Sequence, residues 1–208
     1  MIAATSTERS PLRSDTAPLR LGAAATAGVV VGSLTSFGQA HLEGTLNPLV
    51  NSASAWLVVP FLVGASMRSP SSGAMAGVLA CSLQVVGYFV TSELRGFPAS
   101  SSYVVFWTVC AIVGGPLFGA GGQLWRSGRE RLARPASTLL PAVFLAEGIW
   151  LYGIVLGYVG STILWLAIGA TLALLLTWRA RALRWLPVTV SVGVAGEVLL
   201  TQLLSQPF

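Results

Sequence analysis

The sequence has no lysine, one aspartate, one histidine and two cysteines. Only 9% of its 208 residues are charged, where a soluble domain carries about a quarter. So few charges cannot cover a water-exposed shell, which excludes a soluble globular enzyme. A lone aspartate, Asp15, leaves no aspartate-rich motif for a magnesium-bound diphosphate. His41 cannot make a zinc site with Cys81 and Cys110, which lie in apolar runs without ligand spacing. The cysteines read as small core residues, and His41 as a surface residue beside Glu43. There is no glycine-rich phosphate loop, nucleophile elbow or metalloprotease motif. No metal and no cofactor are implied, and any energy must come from a gradient or a partner.

What is present is apolar. The chain is 54% hydrophobic with a mean hydropathy of +0.75. Seven runs stand out, at about 21–39, 51–67, 73–92, 103–124, 138–157, 161–178 and 186–204. Each has the length of a helix crossing about 30 Å of hydrocarbon, where a helix satisfies its own backbone. No run alternates with period two, so a membrane β-barrel is excluded. The expected fold is an all-α bundle of seven transmembrane helices over 19–208, preceded by a disordered polar tail at 1–18. The short second run, with Pro60 inside it, gives the alternative of six spans plus a re-entrant segment.

Arginine placement gives an orientation. With a cytoplasmic amino terminus, the inner segments hold Arg9, Arg13, Arg20, Arg68, Arg126, Arg129, Arg131, Arg134, Arg179, Arg181 and Arg184. The outer segments hold Arg95 alone. This is the asymmetry of a positive-inside protein, and with seven spans it puts the carboxyl terminus outside. Trp125, Trp178 and Trp185 flank inner arginines and read as an interfacial belt. The net charge of +5 therefore serves membrane orientation rather than nucleic-acid binding. Exclusive use of arginine, with abundant Ala, Gly, Leu and Val, points to a GC-rich bacterial genome and a bacterial cytoplasmic membrane.

Two carboxyls lie where charge is costly. Glu147 falls mid-way along the fifth run and Glu197 mid-way along the seventh. A carboxylate at the bilayer centre costs roughly 2.5–3.5 kcal/mol on insertion scales, and such residues mark sites, relays or ion paths. No mid-span cation is available to either. Each must have polar neighbours, a proton or a bound cation. Helical spacing places Trp150 and Leu151 on the face of Glu147, and Tyr88 one turn from Gln84. With Trp107 and Asn51 these form an expected ligand site: Glu147, Glu197, Gln84, Tyr88, Trp107, Asn51 and Trp150. The remaining polar and aromatic residues, among them Gln39, Trp56, Tyr103, Tyr152 and Tyr158, gather toward the outer half, as a mid-membrane site with an outward opening requires. A carboxyl, an amide and aromatic walls suit a small molecule with a polar head or a cationic centre.

Glycine spacing speaks to packing. Pairs four residues apart, such as Gly28 and Gly32, Gly73 and Gly77, and Gly115 and Gly119, let helix backbones approach closely. Packing within the bundle is the plain reading. Docking of a second membrane protein along Gly28 and Gly32 of the first span is the functional one. Pro116, following Gly114 and Gly115, is placed to kink the fourth span.

The segments LTSFGQAHLEGTLNPLVNSASAW, GYFVTSELRGFP, FWTVCAIVGGPLFGAGG and AEGIWLYG resemble a family of actinobacterial multi-pass membrane proteins classed only as a domain of unknown function. The resemblance covers about residues 20–180 and implies no activity. By architecture, the chain is also similar to the substrate-binding subunits of energy-coupling-factor transporters. Those bind ligand in the outer half and dock through a small-residue first span, but they have six spans. Membrane terpene cyclases are seven-span chains using buried acids, yet here no acid follows Trp56. Three functions remain open: binding or transport of a small molecule, acid catalysis on a lipid or isoprenoid, and docking of a partner.

Overall fold

The computed structural model describes residues 17–128, 131–178 and 181–205. The described residues are helical, without strands. Helix α1 spans Ala17–Gly38. A 3-10 turn, Gly44–Leu46, leads into three short helices, α2 Pro48–Asn51, α3 Ala53–Trp56 and α4 Val58–Ala65. Then come α5 Pro70–Leu94, α6 Ser101–Ser127 and α7 Ala133–Glu147. Helix α7 continues as a π-helical stretch, Gly148–Val155. The chain ends with α8 Val159–Thr177, a second 3-10 turn at Leu183–Trp185, and α9 Leu186–Leu204.

Local chemistry sets these boundaries. Ser69 accepts from the Ser72 amide while the Ser72 hydroxyl answers the Ser69 amide, a reciprocal cap with Pro70 at the first helical position. Ser100 caps α6, which closes on Gly128 in the left-handed conformation (φ 62°) that glycine adopts without a Cβ penalty. Helix α6 runs through Pro116 without a break.

Six helices are long and apolar enough to cross a membrane: Ala17–Gly38, Pro70–Leu94, Ser101–Ser127, Ala133–Val155, Val159–Thr177 and Leu183–Leu204. The second apolar run is not a straight span. Gly44–Val50 and Ala53–Ala65 form a pair bent by 43°, which brings the total to as many as seven if the pair crosses as one. The bend lies at Ser52, whose extended backbone (φ −105°, ψ 134°) separates α2 from α3. Pro60, the expected weak point, sits inside α4. Helix α1 begins at Ala17, two residues inside the expected tail; the tail expectation for 1–16 lies outside the described residues.

Glycine governs how the helices meet. Helix α5 packs between α1 and α6, with α4 against both α5 and α6. A Cβ added to Gly28 or Gly32 would collide with the backbone carbonyls of Ala80 and Gln84 on α5. On the other flank of α5, a Cβ on Gly115 would fall 2.7 Å from Gly77 O, and one on Gly73 would fall 2.7 Å from Gly119 O. Gly64 and Gly122 fit the same way between α4 and α6. The face of Gly28 and Gly32, expected as a docking surface, is thus filled by α5 of the same chain. The second group, α7 with α8 and α9, joins the first through α6–α7 and α3–α7 contacts. Its core is Phe144, Tyr152 and Trp165, continuous with Phe61, Phe118 and Leu140.

The two ends of the bundle differ. One end carries Arg20, Arg68, Arg126 and Arg134, and is tied by bonds from Arg20 Nη1 to Ser66 O and from Gln123 to Arg68 O (3.3 Å). There the Trp125 ring packs 5.6 Å from that of Phe61, and its indole N–H donates to Leu176 O at 3.1 Å. Trp178 and Trp185 are exposed. The opposite end, formed by the α1–α2 and α5–α6 connections, holds a cavity.

Candidate functional site

Ser52 is the residue from which the site is best built. Its side chain caps α3, accepting from the Ala55 amide at 3.3 Å, and from there also reaches α7. The Ser52 hydroxyl donates to Glu147 Oε2 at 2.6 Å, and the Ser54 amide donates to the same oxygen at 3.0 Å. Ser52 and Ser54 hydroxyls lie 2.8 Å apart, and Trp165 Nε1–H donates to Ser54 Oγ at 2.9 Å. A hydroxyl has one proton to give. With the Ser52 proton on Glu147, Ser54 must donate to Ser52. The chain of bonds therefore runs one way, from Trp165 through Ser54 and Ser52 to the carboxyl. All four residues are fully enclosed.

Glu147 is 1% exposed and Glu197 is 8% exposed. Helix α9 lies at the periphery, and Glu197 is its one buried residue among those described. It reaches in far enough to interact electrostatically with Glu147. Tyr152 faces both carboxyls and Ser52. Its position follows from the π-helical stretch. At 3.6 residues per turn Trp150 and Leu151 would follow Glu147, but a wider i→i+5 turn brings residue 152 beneath it. The expected partnership of Glu147 with Trp150 is corrected accordingly. Trp150 is half-buried and its indole N–H has no partner among the described residues.

A cavity of about 590 Å³ opens beside this network. Its aromatic walls are Trp56, Tyr88, Phe89, Phe97, Tyr103 and Trp107. Trp56 stands edge-on to Tyr88 (5.6 Å between centroids) and tilted over Trp107 (6.4 Å). Polar groups come from Ser36, Gln39, Ser52, Ser92 and Arg95. The Tyr88 hydroxyl donates to Gln39 Oε1 at 2.8 Å, and Ser36 and Ser92 hydroxyls meet at 2.9 Å. Ser52 belongs to both structures: it lines the cavity and holds Glu147.

The expected site residues therefore divide. Tyr88 and Trp107 line the cavity. Glu147 and Glu197 lie together behind Ser52 rather than in the wall. Gln84 is wholly buried against the α1 seam, and neither of its side-chain polar atoms has a partner among the described residues. Asn51 ends α2, and its side chain lies outside the described residues. Arg95, Ser36 and Ser92 were missed as site residues. The signal was available: Tyr88, Ser92 and Arg95 recur at i, i+4 and i+7 on one helix face. Among the described residues, no group of three His, Cys, Asp or Glu side chains is placed to hold a metal ion.

A protein-family model of unknown function, DUF6518, matches residues 11–206. The chain belongs to this family. Membership agrees with the resemblance drawn from the α1–α2, α5, α6 and α7 segments, and it brings no activity with it. Nothing among curated proteins and nothing among solved structures matches the chain. For this family member, function has to be argued from the cavity and the carboxyl network.

Proposed function

We propose that the chain is a multi-pass protein of a bacterial cytoplasmic membrane that binds or transports a small molecule through the cavity at the α1–α2 and α5–α6 end. In this reading the bent pair crosses as a broken seventh span. The arginine-rich end and the amino terminus are cytoplasmic, and the cavity opens outward. The observation that carries the reading is the double role of Ser52. A discontinuous span that lines a cavity and couples its break to a buried carboxyl is the construction found where membrane proteins handle substrates. The cavity volume lies within the range of small-molecule sites. Tyr88 and Trp107 touch the ligand, while Glu147, with Glu197 and Tyr152 around it, acts through Ser52 as a positioning residue. Acid catalysis fits less well, because Glu147 is enclosed and Ser52 stands between it and the cavity.

Native mass spectrometry of the gently solubilised protein tests this. The reading expects a bound small molecule in the wild type that is lost in Trp107→Ala and retained in Gly22→Ala, where no neighbour is disturbed. An empty wild-type cavity with a second protein chain retained would replace it with a docking role.

A further inference from the structure

The charge of the cavity wall has one sign. Among the described lining residues Arg95 alone is charged, and no carboxyl joins it. Its Nη1 donates to Ser36 O and, at 3.1 Å, to Ser36 Oγ. The rings of Phe37 and Phe97 flank the guanidinium at 4.9 and 5.4 Å. These contacts fix the guanidinium plane without neutralising it. A guanidinium has five N–H donors in a rigid fork, and the bonds to Ser36 use one nitrogen. The hydroxyls of Ser36 and Ser92 stand beside it, and because one donates to the other at 2.9 Å, the pair keeps one proton to offer an anion. The buried carboxyls, which would favour a cation, are withdrawn behind Ser52.

Resting on the cavity reading above, we infer that the ligand is a small amphipathic anion. A carboxylate or phosphate monoester would meet Arg95, and its apolar body would lie against Trp56, Tyr88 and Trp107. Guanidinium–carboxylate and guanidinium–phosphate pairs are the strong, geometrically selective members of the hydrogen-bond repertoire. In a partly enclosed site such a pair is shielded from the screening that weakens surface pairs. An uncharged body of the same size would gain the aromatic contacts alone.

The test uses the full-length protein in phosphatidylcholine nanodiscs and four probes with the same chain: octanoate, octyl phosphate, octanol and octyltrimethylammonium. Trp56 and Trp107 line the cavity, so tryptophan fluorescence reads occupancy. Octanoate and octyl phosphate should bind at least about tenfold more tightly than octanol and octyltrimethylammonium. Arg95→Gln should remove that preference while Arg95→Lys keeps part of it. Because Arg95 also anchors Ser36, the wild-type probe series stands by itself if Arg95→Gln fails to fold. Equal binding of all four probes, abolished by Trp107→Ala, would overturn the anion assignment and leave the cavity reading standing. Binding of none would overturn both. Nanodiscs containing phosphatidylglycerol separate the sources. Its retention by the wild type and loss in Arg95→Gln would assign the anion to a lipid headgroup. Octanoate binding undiminished by phosphatidylglycerol would assign it to a free small molecule.

Discussion

Helices α1 and α5 share an extensive contact, yet its two halves behave differently. Toward the arginine-rich end they meet backbone to backbone, at Gly28 against Ala80 and Gly32 against Gln84, with no room for a methyl group. Gly87 makes one more such approach, since a Cβ on it would fall 2.5 Å from Val29 O; beyond it, toward the other end, side chains intervene. The Ser33 hydroxyl donates to Gly87 O (3.4 Å), Thr91 to Ser33 (3.0 Å), Tyr88 to Gln39 (2.8 Å), and Arg95 to Ser36. Helix α6 repeats the pattern, clamped to α5 at Gly115 and Gly119 and carrying Trp107 into the cavity wall further up. In lipid no hydrophobic effect drives helices together, so close packing and interhelical hydrogen bonds must do it. The glycine half therefore acts as a fixed clamp, and the aromatic half sets how far the same helices stand apart. The cavity lies in the half where the chain can vary side-chain volume without separating backbones.

The comparison breaks most severely at the clamp. Gly77→Leu or Gly119→Leu would place branched side chains against the partner helix backbone, where nothing can yield. Loss of the monodisperse peak in size-exclusion chromatography is the expected outcome. A well-behaved Gly119→Leu protein would show that the seam is not required. Next comes Glu147→Ala, which removes the acceptor shared by the Ser52 hydroxyl and the Ser54 amide. Each buried donor left without a partner costs about 1–3 kcal/mol. Glu147→Gln keeps one acceptor oxygen and should recover much of that loss. Thermal unfolding in detergent orders the three proteins: wild type, then Gln, then Ala. Reversal of the last two would detach the serine network from stability.

The unequal legibility of these regions in the sequence has physical causes. Six long spans are plain because lipid demands uninterrupted apolar length, and that demand is one-dimensional. The four-residue glycine spacing is plain too, although a sequence cannot say whether α5 or a foreign helix fills the groove beside Gly28 and Gly32. The bend at Ser52 is hidden because Pro60 is the more conspicuous breaker. Proline's missing N–H is tolerated early in the eight-residue α4, whereas the extended serine is what separates helices. Tyr152 escapes notice because α-helical periodicity points to Trp150, and a π-turn has no periodic signature of its own. Arg95 looks like the exception to a charge rule. Its placement in the cavity wall depends on Phe37 and Ser36, almost sixty residues away in the chain.

Smaller perturbations sharpen the contrast. Trp107→Ala removes a wall that faces open space on one side. Ligand occupancy should therefore fall by a larger factor than stability does, as read by native mass spectrometry beside thermal unfolding. Tyr88→Phe deletes the single bond to Gln39 while keeping the ring packed on Trp56, and should cost about 1 kcal/mol or less. The least effect is expected where glycine has no packing duty. A Cβ on Gly22 of α1 or Gly196 of α9 meets nothing within 4 Å. Relative to glycine, alanine in a helix interior gains up to about 1 kcal/mol. Gly22→Ala and Gly196→Ala should therefore leave the unfolding temperature unchanged or slightly raised. The same substitution at Gly32, on the same helix as Gly22, should lower it sharply. Matched losses at Gly22 and Gly32 would mean that glycine serves α1 through backbone flexibility, and the clamp would have to be given up as the explanation for the cavity's position.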